Sequence, residues 1–81
     1  MKLTQTRTGK IAVVRQTRNG SYERIGTLDT KLTLKEAKAR YHARLEDMER
    51  FYNSTPNARY ELQEAVRRYN RDVVSQETEN A

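Results

Sequence analysis

The sequence predicts an α+β fold: a three-stranded antiparallel sheet packed on two amphipathic helices. Three observations carry this. Residues 10–28 hold two strand-like runs, KIAVVRQTR and SYERIGTL, rich in Val, Ile, Tyr and Thr on either side of an Asn-Gly pair. Apolar residues then recur at steps of three and four from Leu34 to Tyr52. After a break at NSTPN the same period returns from Ala58 to Val73.

The first strand is KLTQTRTGK, which alternates polar and apolar and reverses at Thr8-Gly9. It gives the 10–28 hairpin a third partner, which matters because an isolated two-stranded hairpin is marginal in water. A two-residue reversal at Asn19-Gly20 sets the hairpin register. Arg18 then faces Ser21, Thr17 faces Tyr22, Gln16 faces Glu23, Arg15 faces Arg24, Val14 faces Ile25 and Val13 faces Gly26. One face carries Leu3, Ala12, Val14 and Ile25. The other carries Thr4, Thr6, Val13, Arg15, Thr17, Tyr22 and Arg24.

The first helix starts at Leu34, because Thr33 and Glu36 form a capping box and Leu32 and Ala37 are spaced for a hydrophobic staple. Its apolar stripe is Leu34, Ala37, Tyr41, Leu45, Met48 and Tyr52. The second helix is expected to take Thr55 as cap and Pro56 as its first residue, with Ala58, Leu62, Ala65, Val66, Tyr69 and Val73 along one side. Residues 1–74 read as one domain and 75–81 as a disordered tail with nothing to bury. No internal repeat or low-complexity segment is evident.

Composition narrows the function. The chain has 81 residues, no cysteine and one histidine. A chain this short buries too little to build a deep catalytic cavity. Disulfides and thiolate chemistry are excluded, and His42, with Glu46 as its one near carboxylate, lacks a zinc ligand set. No base and nucleophile are paired, so no catalytic residue, metal or cofactor is expected, and the reading is non-enzymatic. No run approaches the roughly 18 apolar residues of a membrane span, which with the absence of cysteine points to a cytoplasmic protein.

The net charge of +5 is concentrated. Residues 1–31 hold seven Lys/Arg against Glu23 and Asp29, and so carry the whole excess. Such a field suits nucleic acid or an acidic protein surface. With Arg15 opposite Arg24, like charges repel unless an anion lies between them. A β-ribbon carrying Arg, Thr, Asn and an aromatic residue suits a major groove. The expected binding set is Lys10, Arg15, Thr17, Arg18, Asn19, Tyr22 and Arg24, with Lys35 and Lys38 from the first helix. On that helix Lys35, Lys38 and His42 precede Glu46 and Glu49 along one strip, an order that opposes the macrodipole.

The stretch from Ile11 to about Arg44, with IAVVRQ, the RNG turn, YERIGTLDT and LTLKEAKAR, resembles the arm-type DNA-binding domain of phage and integrative-element tyrosine recombinases. That family, and the plant ethylene-response domains similar to it, lay a three-stranded sheet in the major groove and back it with one helix. The resemblance implies duplex DNA as partner, with Arg15, Thr17, Tyr22 and Arg24 toward the groove. A second amphipathic helix stands where that family has a linker, and no catalytic domain follows, so the implied role is a DNA-contacting module of a phage or mobile element. The alternative is a small phage-encoded inhibitor, similar to those that block CRISPR complexes, docking its basic hairpin on a host protein or ribonucleoprotein. Ile11, Val13 and Leu28 motivate it, since on the arginine face they are open to a partner unless the second helix covers them. The second helix also offers a surface for a homodimer.

Overall fold

The computed structural model describes residues 1–79. Strands β1 (Lys2–Gln5), β2 (Ile11–Gln16) and β3 (Tyr22–Leu28) form an antiparallel sheet in the order β1-β2-β3. Helices α1 (Leu34–Tyr52) and α2 (Ala58–Tyr69) pack on one face, and a π-helical turn (Asn70–Val74) leads into a short α3 (Ser75–Glu79). The α+β architecture is the one the sequence implies. No helix among the described residues is long and apolar enough to cross a membrane.

Helix α1 begins as its capping box dictates. The Glu36 N–H donates to the Thr33 hydroxyl at 3.2 Å, and the Glu36 carboxylate accepts from the Thr33 N–H at 3.0 Å. Ala37, Tyr41, Leu45 and Met48 are buried along the stripe. The acids late in the helix have a structural use: the α-amino group of Met1 donates to Glu49 at 2.6 Å and lies 3.5 Å from Glu46. The unfavourable macrodipole order is offset by that ion pair, with Met1 itself buried.

Helix α2 starts two residues later than expected. The Thr55 hydroxyl donates to the Tyr52 carbonyl at 2.9 Å, closing α1, so it is not available to cap α2. Asn57 stands at the cap position and Pro56 in the preceding turn. Ala58, Leu62 and Val66 are buried, so these apolar positions of α2 serve the chain's own core. Beyond Tyr69 the expected stripe fails by one residue, with Val74 fully buried and Val73 37% exposed. A π turn inserts one extra residue per turn, which rotates Val73 out and Val74 in. Asn70, at its start, is tied to the end of β3: it accepts from the Asp29 N–H at 2.7 Å and donates to the Asp29 carboxylate at 2.9 Å.

The expected disordered tail is helical as far as Glu79, with residues 80 and 81 outside the described part. Glu77 accepts from the Tyr41 hydroxyl at 2.7 Å and from Arg40 Nε at 2.9 Å, and Arg40 and Tyr41 hold its carboxyl below the ordinary range. Glu36 is likewise lowered by its bonds to Thr33. A carboxyl whose pKa falls on folding stabilises the fold above its unfolded value, 4.5 here, and loses that contribution as pH drops through the folded value. The melting temperature is therefore expected to fall below about pH 4.5, and Glu77→Gln to flatten that fall; a parallel decline in the variant would contradict it.

Register is where the structure departs most from the sequence reading, and the cause lies in the turns. Thr17 N–H donates to the Ser21 carbonyl at 2.7 Å and Gly20 N–H to the Thr17 carbonyl at 3.1 Å. Gly20 has φ +87° and no non-glycine residue among the described residues has positive φ, so Asn19 cannot occupy the two-residue mirror-image turn. The loop is instead three residues, Arg18-Asn19-Gly20, with glycine in the left-handed position. Gln16 therefore pairs with Tyr22, Arg15 with Glu23 and Val14 with Arg24, each one residue off the expected partner. A bulge at Ile25 then absorbs the extra residue, and Val13 pairs with Gly26 as expected.

The β1–β2 turn is built identically. Thr6 N–H donates to Lys10 O at 2.9 Å, Gly9 N–H donates to Thr6 O at 3.0 Å, and Gly9 has φ +85°. Leu3 consequently pairs with Val13 and Thr4 with Ala12, rather than sharing the faces first assigned. The two loops are also alike in sequence: Gln5-Thr6-Arg7-Thr8-Gly9 and Gln16-Thr17-Arg18-Asn19-Gly20 are a short internal repeat that the sequence reading missed.

Leu3, Ile11, Val13, Ile25 and Leu28 thus face the helices, in one cluster with Tyr41, Leu45, Leu62, Val66 and Val74. Gly26 lies against α2, where an added Cβ would be 2.9 Å from Val66 Cγ1.

Candidate nucleic-acid interface: the open face of the sheet

The helices occupy one side of the sheet, and the register fixes what lies on the other. Lys2, Val14 and Arg24 stand in one row, Thr4, Ala12 and Thr27 in the next, and Gln16 beside Tyr22 at one end. Strand parity adds Thr6 and Lys10, which pair just beyond β1 and β2. Lys2 Nζ sits 5.4 Å from the centroid of the Tyr22 ring, which is 57% exposed. That cation-π contact joins the two edge strands across the face. Small Ala12 and Val14 line the middle, and long cations stand around them.

The electrostatics follow from where the acids go. Glu23, on the helix side, is 2.5 Å from Arg15 Nε and 3.7 Å from Arg59 Nε. Asp29 is held by Asn70. Both acids of the first 31 residues thus turn to the helical layer, leaving Lys2, Lys10 and Arg24 on the open face, and Arg7 and Arg18 at the loop tips, with no carboxylate among them. Such a surface attracts polyanions.

The proposed residues divide accordingly. Tyr22, Arg24 and Lys10 lie on the open face, and Arg18 sits at the hairpin tip, in the lining of a cleft on the helix side. Arg15 does not oppose Arg24; it points to the helices, ion-paired with Glu23 and 3.3 Å from Asn53 Oδ1. The premise that Arg15 and Arg24 repel and await an anion is therefore overturned by the longer loop, which puts Glu23 where Arg24 was expected. Thr17 is on Arg15's side, its hydroxyl 3.0 Å from the Ser21 carbonyl and against the Asn19 carboxamide oxygen. That oxygen also accepts from the Ser21 N–H at 3.2 Å, so Asn19 serves the turn. Lys35 and Lys38 ride on α1, in the layer behind the sheet, and do not share the face. Ile11, Val13 and Leu28 are 1%, 0% and 2% exposed, covered by the helices, which removes the open apolar strip that favoured a docking protein.

Sequence reasoning placed Thr4 and Thr6 on the binding face but missed Lys2, Arg7, Gln16 and Thr27. The signal was the repeated Thr-Arg-x-Gly, which marks a three-residue loop with glycine left-handed and so reverses the faces near each turn. On the helix side of the hairpin tip, a cleft of about 850 Å³ is lined by Arg15, Arg18 and Arg59 with Asn53, Asn57 and Tyr60. No family model, curated protein or solved structure matches this chain.

Proposed function

We propose that the chain is a non-enzymatic DNA-binding module whose open sheet face lies in the major groove. The observation that carries this is five cations and no carboxylate on one face and its two ends. Three strands about 4.8 Å apart span roughly 10 Å between the outer pair, comparable with a groove about 12 Å wide. Small side chains at the centre let the sheet approach the bases, where Arg24 can fork to guanine and Gln16 to adenine. Lys2 and Lys10, with the hydroxyls of Thr4, Thr6 and Thr27, suit phosphate and sugar. An origin in a phage or mobile element rests on the sequence resemblance.

B-form DNA is favoured over duplex RNA because the A-form major groove is too deep and narrow for side chains to read. Titration of a labelled DNA duplex at several salt concentrations tests the proposal. Log affinity is expected to fall linearly with log salt, by about 0.9 for each phosphate neutralised. An RNA duplex of the same sequence should bind more weakly. Affinity for DNA that ignores salt, or equal affinity for the two duplexes, would remove the groove reading.

A further inference from the structure

The cleft on the helix side of the hairpin tip lies on the opposite side of the sheet from the open face, and it has a chemistry of its own. One wall is the tip, from Arg15 to Arg18. The other is the start of α2 with the stretch 53–57, which leaves the helix because Thr55 closes α1. At about 850 Å³ the cleft falls within the roughly 300 to 1,000 Å³ of small-molecule sites. Its lining is mostly guanidinium, amide and hydroxyl, which suits an anion with hydrogen-bonding groups rather than an apolar ligand.

Charge narrows the ligand. Glu23 bridges two of the arginines, with Oε1 2.5 Å from Arg15 Nε and Oε2 3.7 Å from Arg59 Nε. Asn53 Oδ1 accepts from Arg15 Nη1 at 3.3 Å, so Arg15 is held from two sides while its remaining N–H donors stay open. Arg18 is exposed and forms neither an ion pair nor a hydrogen bond among the described residues. Three guanidinium groups against one carboxylate leave a charge of +2. A phosphate monoester, at about −1.5 to −2 near pH 7, matches that charge better than a phosphodiester does.

The uncharged residues point to what the phosphate is attached to. Tyr60 is 65% exposed in the lining, with no ring contact or hydrogen bond among the described residues. An open tyrosine ring beside guanidinium groups is a stacking platform for a base. Asn57 makes no side-chain bond to cap α2, and Gln63 has no side-chain partner among the described residues, so two carboxamides in the lining are free. Carboxamides pair in bidentate fashion with adenine N6 and N7.

We infer that this cleft is a second binding site, for an adenine nucleotide, with its phosphate on Arg15, Arg18 and Arg59, its base on Tyr60, and Asn57 or Gln63 at the base edge. The nucleotide is either free or the 5′-phosphorylated end of a single strand, since both present the same monoester and base. The site does not depend on the DNA reading of the open face.

Calorimetric titration of the full chain at low salt with AMP, adenosine and inorganic phosphate tests this. AMP should bind one to one, with adenosine and phosphate each weaker by about tenfold or more. Arg18→Ala, Arg59→Ala and Tyr60→Ala should each weaken AMP by about tenfold, and Tyr60→Phe should retain it. Arg59 and Tyr60 side chains are well exposed, so their variants should keep both the melting temperature and the affinity for duplex DNA. A 5′-phosphorylated tetranucleotide that displaces AMP and binds more tightly assigns the strand end as the natural source; weaker binding assigns the free nucleotide. AMP that binds no better than adenosine or phosphate, or that is indifferent to Arg59→Ala and Tyr60→Ala, would overturn the site. So would AMP binding lost with Arg24→Ala and kept in the cleft variants. None of these results touches duplex affinity, so the cleft and the open face fail separately.

Discussion

The double variant Lys10→Glu, Arg24→Glu is expected to lose on the order of 100-fold or more in duplex affinity at low salt while keeping its melting temperature. Both side chains are exposed, and neither forms an ion pair among the described residues, so the fold does not depend on their charge. Each reversal changes the face by two charges, taking Lys2, Arg7, Lys10, Arg18 and Arg24 from +5 to +1 and setting carboxylates against phosphate. Arg15→Ala is the informative control. Arg15 lies on the helix side, paired with Glu23, so its loss should lower the melting temperature while leaving affinity within a few-fold. Affinity that falls as far with Arg15→Ala as with Arg24→Ala would mean the wrong side of the sheet has been assigned. Anisotropy titration with paired thermal melts reads both quantities.

The largest expected effect on stability is at Gly26. A methyl group there would sit 2.9 Å from Val66 Cγ1, closer than real Cβ contacts allow, and Val66 is fully buried between α2 and the sheet. Overpacking of this kind costs about 1 to 3 kcal/mol, a large part of the stability available to a domain of this size. Gly26→Ala should therefore unfold at markedly lower denaturant concentration. Val66→Ala alone leaves a cavity and is destabilising too. Combining them should be better than the sum of the two, because the new methyl enters the space the valine vacates. Strict additivity in denaturant melts would show that the contact is not the cause.

These two sites also mark what the sequence could and could not yield. The capping box, the α1 stripe and the existence of three strands are local: each is set by residues three or four apart, or alternating along one strand. The length of the hairpin loop was not recoverable from Asn-Gly, because that pair fits both a two-residue loop and the last two positions of a three-residue one. The bulge that follows answers a long-range demand. Gly26 must face Val66, forty residues later in the chain, and Val13↔Gly26 pairing survives only if Ile25 is squeezed out of the ladder. The π turn has the same character, since Asn70 is tied to Asp29 across the fold. For the candidate site, Lys10, Arg18, Tyr22 and Arg24 were legible as a basic, aromatic hairpin. Arg15 was misassigned because the Val13 side of β2 was read as the open one, whereas it is buried against the helices, and the longer loop moved Tyr22 and Arg24 to the opposite side; Lys2 and Arg7 went unnoticed because the first turn was read like the second.

The three-residue loop and the bulge at Ile25 cancel each other: one sets the ladder out of phase and the other restores it before the chain reaches the buried layer. The distal half of the hairpin is thereby insulated from the packed half. Exchange of the exposed Arg18, Tyr22 or Arg24 alters what the molecule shows to its surroundings, while Ile11, Val13, Gly26 and Leu28 keep their alignment. The tip is a replaceable head on a fixed stem, free to diversify without reopening the question of how the protein folds.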